Sequence, residues 1–268
     1  MKKYFIILIF SLFSFSSSSF AYDYNYKLEN LPSDLEKNTE KINNYQLNIF
    51  TKTPENDSVI KIIKNFIKDD SFFKKNINQI TIDIWTYNNG TLSSFSNIHN
   101  KCHVSINYPN IHKKFFLDDK NKDIFMVLAH ELSHCVLGEQ NTSNISWKIS
   151  LSSYNKDLLK ERILFLENNN KLSPFITYHE TFADTLATLI LYKKKILNID
   201  DLNKIIDIRK KNFENEKQSP YLGYLGVLKI KNLIENDKIN IQNISDKEII
   251  YLATIISQSI FIEYLSNQ

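Results

Sequence analysis

The spacing of apolar positions divides this chain into a short alternating region and a long helical one. Val59, Ile60, Ile62, Ile63, Phe66 and Ile67 recur at three- and four-residue intervals, which predicts an amphipathic helix. Ile80 to Tyr87 then alternates apolar and polar residues and runs into Asn88-Asn89-Gly90, a turn signal. Leu92 to Ile98 repeats the alternation more weakly, and Cys102 to Tyr108 repeats it before Pro109. These three segments predict a small antiparallel sheet. From Asp119 onward the period is helical, over Lys120 to Leu137, Leu158 to Asn168, Pro174 to Lys194, Asp200 to Asn215, Tyr221 to Glu235 and Asp246 to Leu265. Residues 22–56 are polar, carry Pro32 and Pro54, and read as a loosely organised segment with one short helix. The pattern predicts an α+β fold with one domain over residues 57–268.

The N-terminus sets the compartment. Lys2 and Lys3 precede a nearly unbroken apolar run from Tyr4 to Phe15, then serines, then Ser19-Phe20-Ala21. Small residues at the two positions read by a signal peptidase predict a signal peptide over residues 1–21, with the mature chain starting at Tyr22. The apolar run is shorter than the roughly 20 residues that span a bilayer. Later apolar runs, around Thr188 to Tyr192 and Ile249 to Ile262, are broken by polar residues at helical intervals, so no membrane span is expected after cleavage. The expected location is a periplasm or the outside of a cell. A net charge of +3, with scattered lysines and only Arg162 and Arg209 as arginines, argues against a nucleic-acid surface. Two cysteines in an exported chain, Cys102 and Cys135, are expected to form a disulfide.

The candidate chemistry lies on two of the predicted helices. His130-Glu131-Leu132-Ser133-His134 is an H-E-x-x-H motif. Residues four apart on a helix lie one turn above each other, so both imidazoles can face one ion, with Glu131 between them. Zinc held by neutral imidazoles acidifies a bound water toward a pKa of about 7, and a carboxylate placed as Glu131 is can take the proton. The flanking residues from Val127 to Val136 are uncharged, as a buried metal-bearing helix requires. Asp119 is placed as the N-cap of this helix and Gly138 as its C-cap.

A catalytic zinc needs a third protein ligand. Leu137 and Gln140 stand where a metzincin would have glycine and histidine, which excludes that arrangement. On the helix from Pro174, Glu180 and Asp184 are four apart, with Ala183 and Ala187 beside them allowing close approach. Glu180 is the candidate third ligand, and Asp184 is placed to orient a ligand histidine by accepting its other N–H. His179 is an alternative ligand. His99, Cys102 and His103 form a weaker cluster that lacks a fourth partner.

HELSH followed by ETFAD resembles the HExxH plus ExxxD arrangement of the gluzincin zinc metallopeptidases, over residues 126–187. The resemblance implies a zincin-like fold, one zinc per chain held by His130, His134 and Glu180, Glu131 as general base, and Asp184 orienting a ligand. It implies hydrolysis of a peptide or protein substrate bound in extended form along an edge strand above the active-site helix. Cys102 to Tyr108 is the candidate for that strand, which would make a Cys102–Cys135 bridge a tie between strand and helix. An oxyanion donor is expected from among Tyr221, Tyr224, His179 and Arg209. The alternative is a catalytically silent protein of this fold that binds a partner at the cell envelope; such a protein has no need of Glu131.

Overall fold

The computed structural model describes residues 36–51, 57–85, 94–98, 101–107, 117, 119–141, 174–216 and 223–266. The expected signal peptide and the expected helix at Leu158 to Asn168 lie outside these residues. The described fold is α+β, a five-stranded mixed sheet followed by a mainly helical C-terminal part.

The chain opens with strands β1 (Glu36–Ile42) and β2 (Tyr45–Thr51). Helices α1 (Asp57–Lys68) and α2 (Phe72–Asn76) follow, then strands β3 (Ile80–Trp85), β4 (Ser94–Ile98) and β5 (Lys101–Asn107). The remaining helices are α3 (Lys120–Asn141), α4 (Pro174–Lys193), α5 (Ile199–Glu216), α6 (Gly223–Glu235) and α7 (Asp246–Ser266).

Three expectations are corrected here. First, the segment 22–56 is not simply loose: it supplies β1 and β2, an antiparallel hairpin in register from Glu36↔Thr51 to Ile42↔Tyr45. Its turn is Asn43-Asn44, and Asn43 takes a φ of 57°, the left-handed conformation that asparagine tolerates in tight hairpins. β1 is exposed and charged along nearly its whole length, as a sheet edge is, so it shows no apolar alternation. Second, the sheet is mixed. Its order is β1-β2-β3-β5-β4, with β2/β3 and β3/β5 parallel and β4/β5 antiparallel. The α1–α2 crossover makes β2 and β3 parallel, since parallel neighbours need such a connection. Alternation marks a strand without naming its partner, so β5's place between β3 and β4 could not be read from it. Third, β5 is therefore an inner strand, and the edge on this side is β4.

The register stacks apolar side chains in rows across one face: Tyr45, Ile80 and Cys102, then Leu47, Ile82 and Val104, then Ile49, Ile84 and Ile106. All are at most 4% exposed. Burying each such aliphatic side chain contributes roughly 1.5–3 kcal/mol, which fixes the register because a one-residue slip turns the whole set outward. The other face carries a polar ladder. Asn48 donates to Asp83 at 2.7 Å, His103 lies 3.1 Å from Asp83, and Trp85 donates to Ser105 at 2.9 Å while stacking on Phe50.

α3 packs against β4 and β5 on one side and against α4 on the other. Asp119 caps it as expected, its carboxylate accepting from the Asn121 N–H at 2.8 Å. The expected C-cap at Gly138 is not one, because α3 continues to Asn141. α4 is the hub of the helical part, contacting α3, α6 and α7. No helix among the described residues is long and apolar enough to cross a membrane.

Cys102 on β5 and Cys135 on α3 form the expected disulfide, with no free cysteine left over. The bond ties the sheet to the helix one residue past His134. Both cysteines are at most 2% exposed, so the pair is a core staple. Thiol titration of the unfolded, unreduced protein should find no free thiol. For a separation of 33 residues, replacing both cysteines by alanine should lower stability by roughly 3–4 kcal/mol in a denaturant titration. Two titratable thiols would refute the bridge.

Candidate metal centre

α3 and α4 pack against each other, and each carries small buried residues. Ala129 and Ser133 on α3 and Ala183 and Ala187 on α4 are all fully buried. Ser133 donates to the Ala129 carbonyl at 2.7 Å, and Thr185 to the Thr181 carbonyl at 2.5 Å, so these hydroxyls are satisfied within their own helices. This approach brings the polar residues of both helices together in a largely dry interior. His130, Glu131 and His134 are each at most 6% exposed, Asp184 is 0% exposed, and the Glu180 side chain keeps 24% exposure.

Two imidazole nitrogens and the two oxygens of one carboxylate converge. The Nε2 atoms of His130 and His134 are 3.3 Å apart. Glu180 Oε2 is 3.3 Å from His130 Nε2, and Glu180 Oε1 is 3.5 Å from His134 Nε2. A tetrahedron has edges about 1.6 times its centre-to-corner distance, so bonds of about 2.0–2.1 Å give edges near 3.3–3.4 Å. The three residues form a triangle whose closest approaches, 3.3, 3.3 and 3.5 Å, lie near that edge, with each Glu180 oxygen facing one imidazole. Among the described residues, His130, His134 and Glu180 form the one cluster of this kind. Of the two third-ligand candidates, Glu180 belongs to this cluster and His179 does not.

The charges around the triangle favour a cation. Burial works against a charged His130, but the Asp184 and Glu180 carboxylates outweigh it and hold its pKa up at about 9. Burial also opposes a charged Glu180, but its contact with His130 and the proximity of His134 and Arg209 hold its carboxyl well below the usual range. Asp184 shifts down likewise, with Arg209 and His130 overriding the effect of burial. His134 is pushed down, by burial first and despite Glu180. Metal ligation needs neutral imidazoles and ionised carboxylates.

Asp184 acts from behind. His130 Nδ1 donates to Asp184 Oδ1 at 2.7 Å, which leaves Nε2 as the nitrogen that faces the triangle. The same Oδ1 accepts from Arg209 Nη2 on α5, also at 2.7 Å. This bond engages one of the five N–H donors of Arg209, one of the expected oxyanion donors. Tyr221 lies outside the described residues. Tyr224 is half-buried on α6, and burial together with the nearby Glu214 charge pushes its phenol up. The His179 ring lies nearly parallel to that of His134, with centroids 6.4 Å apart. Burial, with the His134 charge adding to it, lowers the His179 pKa to about 3, so it stands there as a neutral imidazole.

At the weaker cluster of His99, Cys102 and His103, no metal-binding group is found among the described residues. Cys102 is spent in the disulfide, His103 faces Asp83, and His99 lies outside the described residues.

Two contributors escape the motif. Gly223 on α6 touches Asp184 directly: a Cβ there would lie 1.8 Å from Asp184 Oδ2. Gly226 is similar against Thr185, at 2.1 Å from its Oγ1. The signals were present as two glycines three apart in Tyr221-Leu-Gly-Tyr-Leu-Gly226, and as one of only two arginines in a lysine-rich chain.

Comparisons with protein-family models, with curated proteins and with solved structures found no match to this chain. The site is therefore interpreted from its own atoms. Glu180→Ala should remove most metal binding, because two imidazoles four apart retain only one edge of the triangle. Asp184→Asn should weaken it less, by about 10–100-fold. Metal content after dialysis, with competitive chelator titration, checks both. Unchanged affinity in Glu180→Ala would refute the ligand set.

Proposed function

We propose that this protein is an exported zinc-dependent metallopeptidase of gluzincin type, with a zincin-like arrangement of sheet and active-site helix. One observation carries the reading: two imidazoles and the two oxygens of one carboxylate converge with closest approaches of 3.3–3.5 Å, with Glu131 buried on the turn between the two histidines. Two nitrogens and one oxygen suit zinc, and three protein ligands leave a fourth position for chemistry, whereas a structural zinc site has four.

When bound, zinc would supply Lewis acidity, polarising a carbonyl and acidifying a water. The chain's own residues supply the rest. His130 and His134 offer Nε2 lone pairs from successive turns of α3, and Asp184 fixes the His130 tautomer. Glu131 is the general base that takes a proton from the attacking water and returns it to the departing amine. Glu180 closes the triangle with its carboxylate while remaining a quarter exposed, so the site is reachable from solvent.

The substrate in this reading is a peptide or protein in extended form. The edge strand β4 packs along α3, and its outer side has no neighbouring strand among the described residues. An extended chain can add to such an edge by main-chain hydrogen bonds. This shifts the proposed substrate-binding strand from β5 to β4.

Glu131→Gln tests the reading. The variant should hold one zinc per chain yet lose at least about 100-fold in the cleavage of a quenched fluorescent peptide library. Full cleavage by the variant would overturn the general-base role. A wild-type protein that binds zinc but cleaves no peptide or unfolded protein would favour a partner-binding protein of the cell envelope.

A further inference from the structure

Arg209 is a buried arginine, 4% exposed, on a helix that contributes no metal ligand. Dehydrating a guanidinium costs several kcal/mol unless it is paired and hydrogen-bonded. Its partner is Asp184, itself 0% exposed, and the bond is 2.7 Å. The same carboxylate oxygen receives the His130 proton donor at 2.7 Å. A line of contacts therefore crosses three helices, from Arg209 on α5 through Asp184 on α4 to His130 on α3.

The other side of the carboxylate is closed by backbone. A side chain at Gly223 would meet Asp184 Oδ2 at 1.8 Å, Cγ at 2.6 Å and Cβ at 2.9 Å. These are distances that real Cβ atoms do not adopt, so even alanine would force Asp184 or α6 to move. Gly226, one turn on, lets α6 lie equally close to Thr185. Asp184 is thus held from two directions, pulled by Arg209 through Oδ1 and walled by Gly223 at Oδ2. Lysine, the chain's usual cation, would place a single flexible ammonium where arginine places a planar fork.

We propose that Arg209 and Gly223 form a clamp that fixes the Asp184 carboxylate in the orientation that sets His130, making α5 and α6 working parts of the metal centre. Both are positioning residues, since neither reaches the ligand triangle. The proposal rests on the metal-site reading above.

Cobalt(II), added alone to the full mature chain, gives both an affinity and a visible ligand-field spectrum that reports coordination geometry. Arg209→Met and Gly223→Ala should each lower cobalt affinity about 10–100-fold and alter the visible bands. Arg209→Lys should recover part of both. Leu202→Ala, a buried change two turns away on α5, should lower the thermal midpoint while leaving affinity and bands as in the wild type. That contrast separates positioning from general loss of packing. If Arg209→Met does not fold, Arg209→Lys decides: reduced affinity with altered bands supports the clamp, and wild-type values overturn it. A wild-type protein that takes up no cobalt overturns the metal-site reading and the clamp with it. Wild-type uptake left unchanged in folded Arg209 and Gly223 variants overturns the clamp alone.

Discussion

The close packing of α3 against α4 is the constraint on which the rest of the molecule depends. Imidazoles one turn apart on a helix meet a carboxylate from the next helix at 3.3–3.5 Å only if the two backbones come unusually near. Ala129, Ser133, Ala183 and Ala187 make that approach sterically possible. It is electrostatically difficult, because it places charged groups in a medium that solvates them poorly. The arrangement persists because those groups satisfy one another. Asp184 accepts from His130 and Arg209, and Glu180 lies against both imidazoles with a quarter of its side chain still in water.

The sheet serves this packing more than it serves itself. Its apolar rows present an aliphatic surface on which α3 can lie, and α4, sandwiched between α3 and the later helices, is buried on every side from Thr181 to Leu191. The disulfide then ties the sheet to α3 at Cys135, beside the second ligand histidine. A helix so fixed can hold two side chains in register without help from its C-terminal end, where it runs on past Gly138 to Asn141. The polar ladder on the opposite sheet face stands apart from this work and pairs buried Asp83 with Asn48 and His103.

Where a single local rule governs, the chain was legible. Helix spans from apolar periodicity came within a few residues for α1 and α3 through α7, and the residues that cluster at His130, His134 and Glu180 followed from spacing on a helix. Strand order did not, since Cys102 to Tyr108 alternates in the same way whether it is an inner strand or an edge. β1 was hidden because EKNTEKI is the polar sequence of a solvated edge, and its strand character comes from pairing with β2. Arg209 and Gly223 were hidden for a different reason. Each acts across a tertiary contact, 25 and 39 positions from Asp184, where no local period reaches. The histidines, the glutamates and the aspartate were legible because a helix brings residues four apart together by itself.

Charge explains why such a distant arginine belongs to the centre. At formal charges and with neutral imidazoles, Glu131, Glu180 and Asp184 are three negative charges and Arg209 is one positive. The remaining charge of −2 is that complementary to one divalent cation. Without Arg209 the same pocket would hold −3, and the unbalanced charge would sit on Asp184, which has no exposure to water. A positive charge supplied instead from the solvent side would crowd the open face beside Glu180, the quarter-exposed member of the cluster. Placing it behind His130, on a helix beyond α4, balances the buried carboxylates while leaving that face clear.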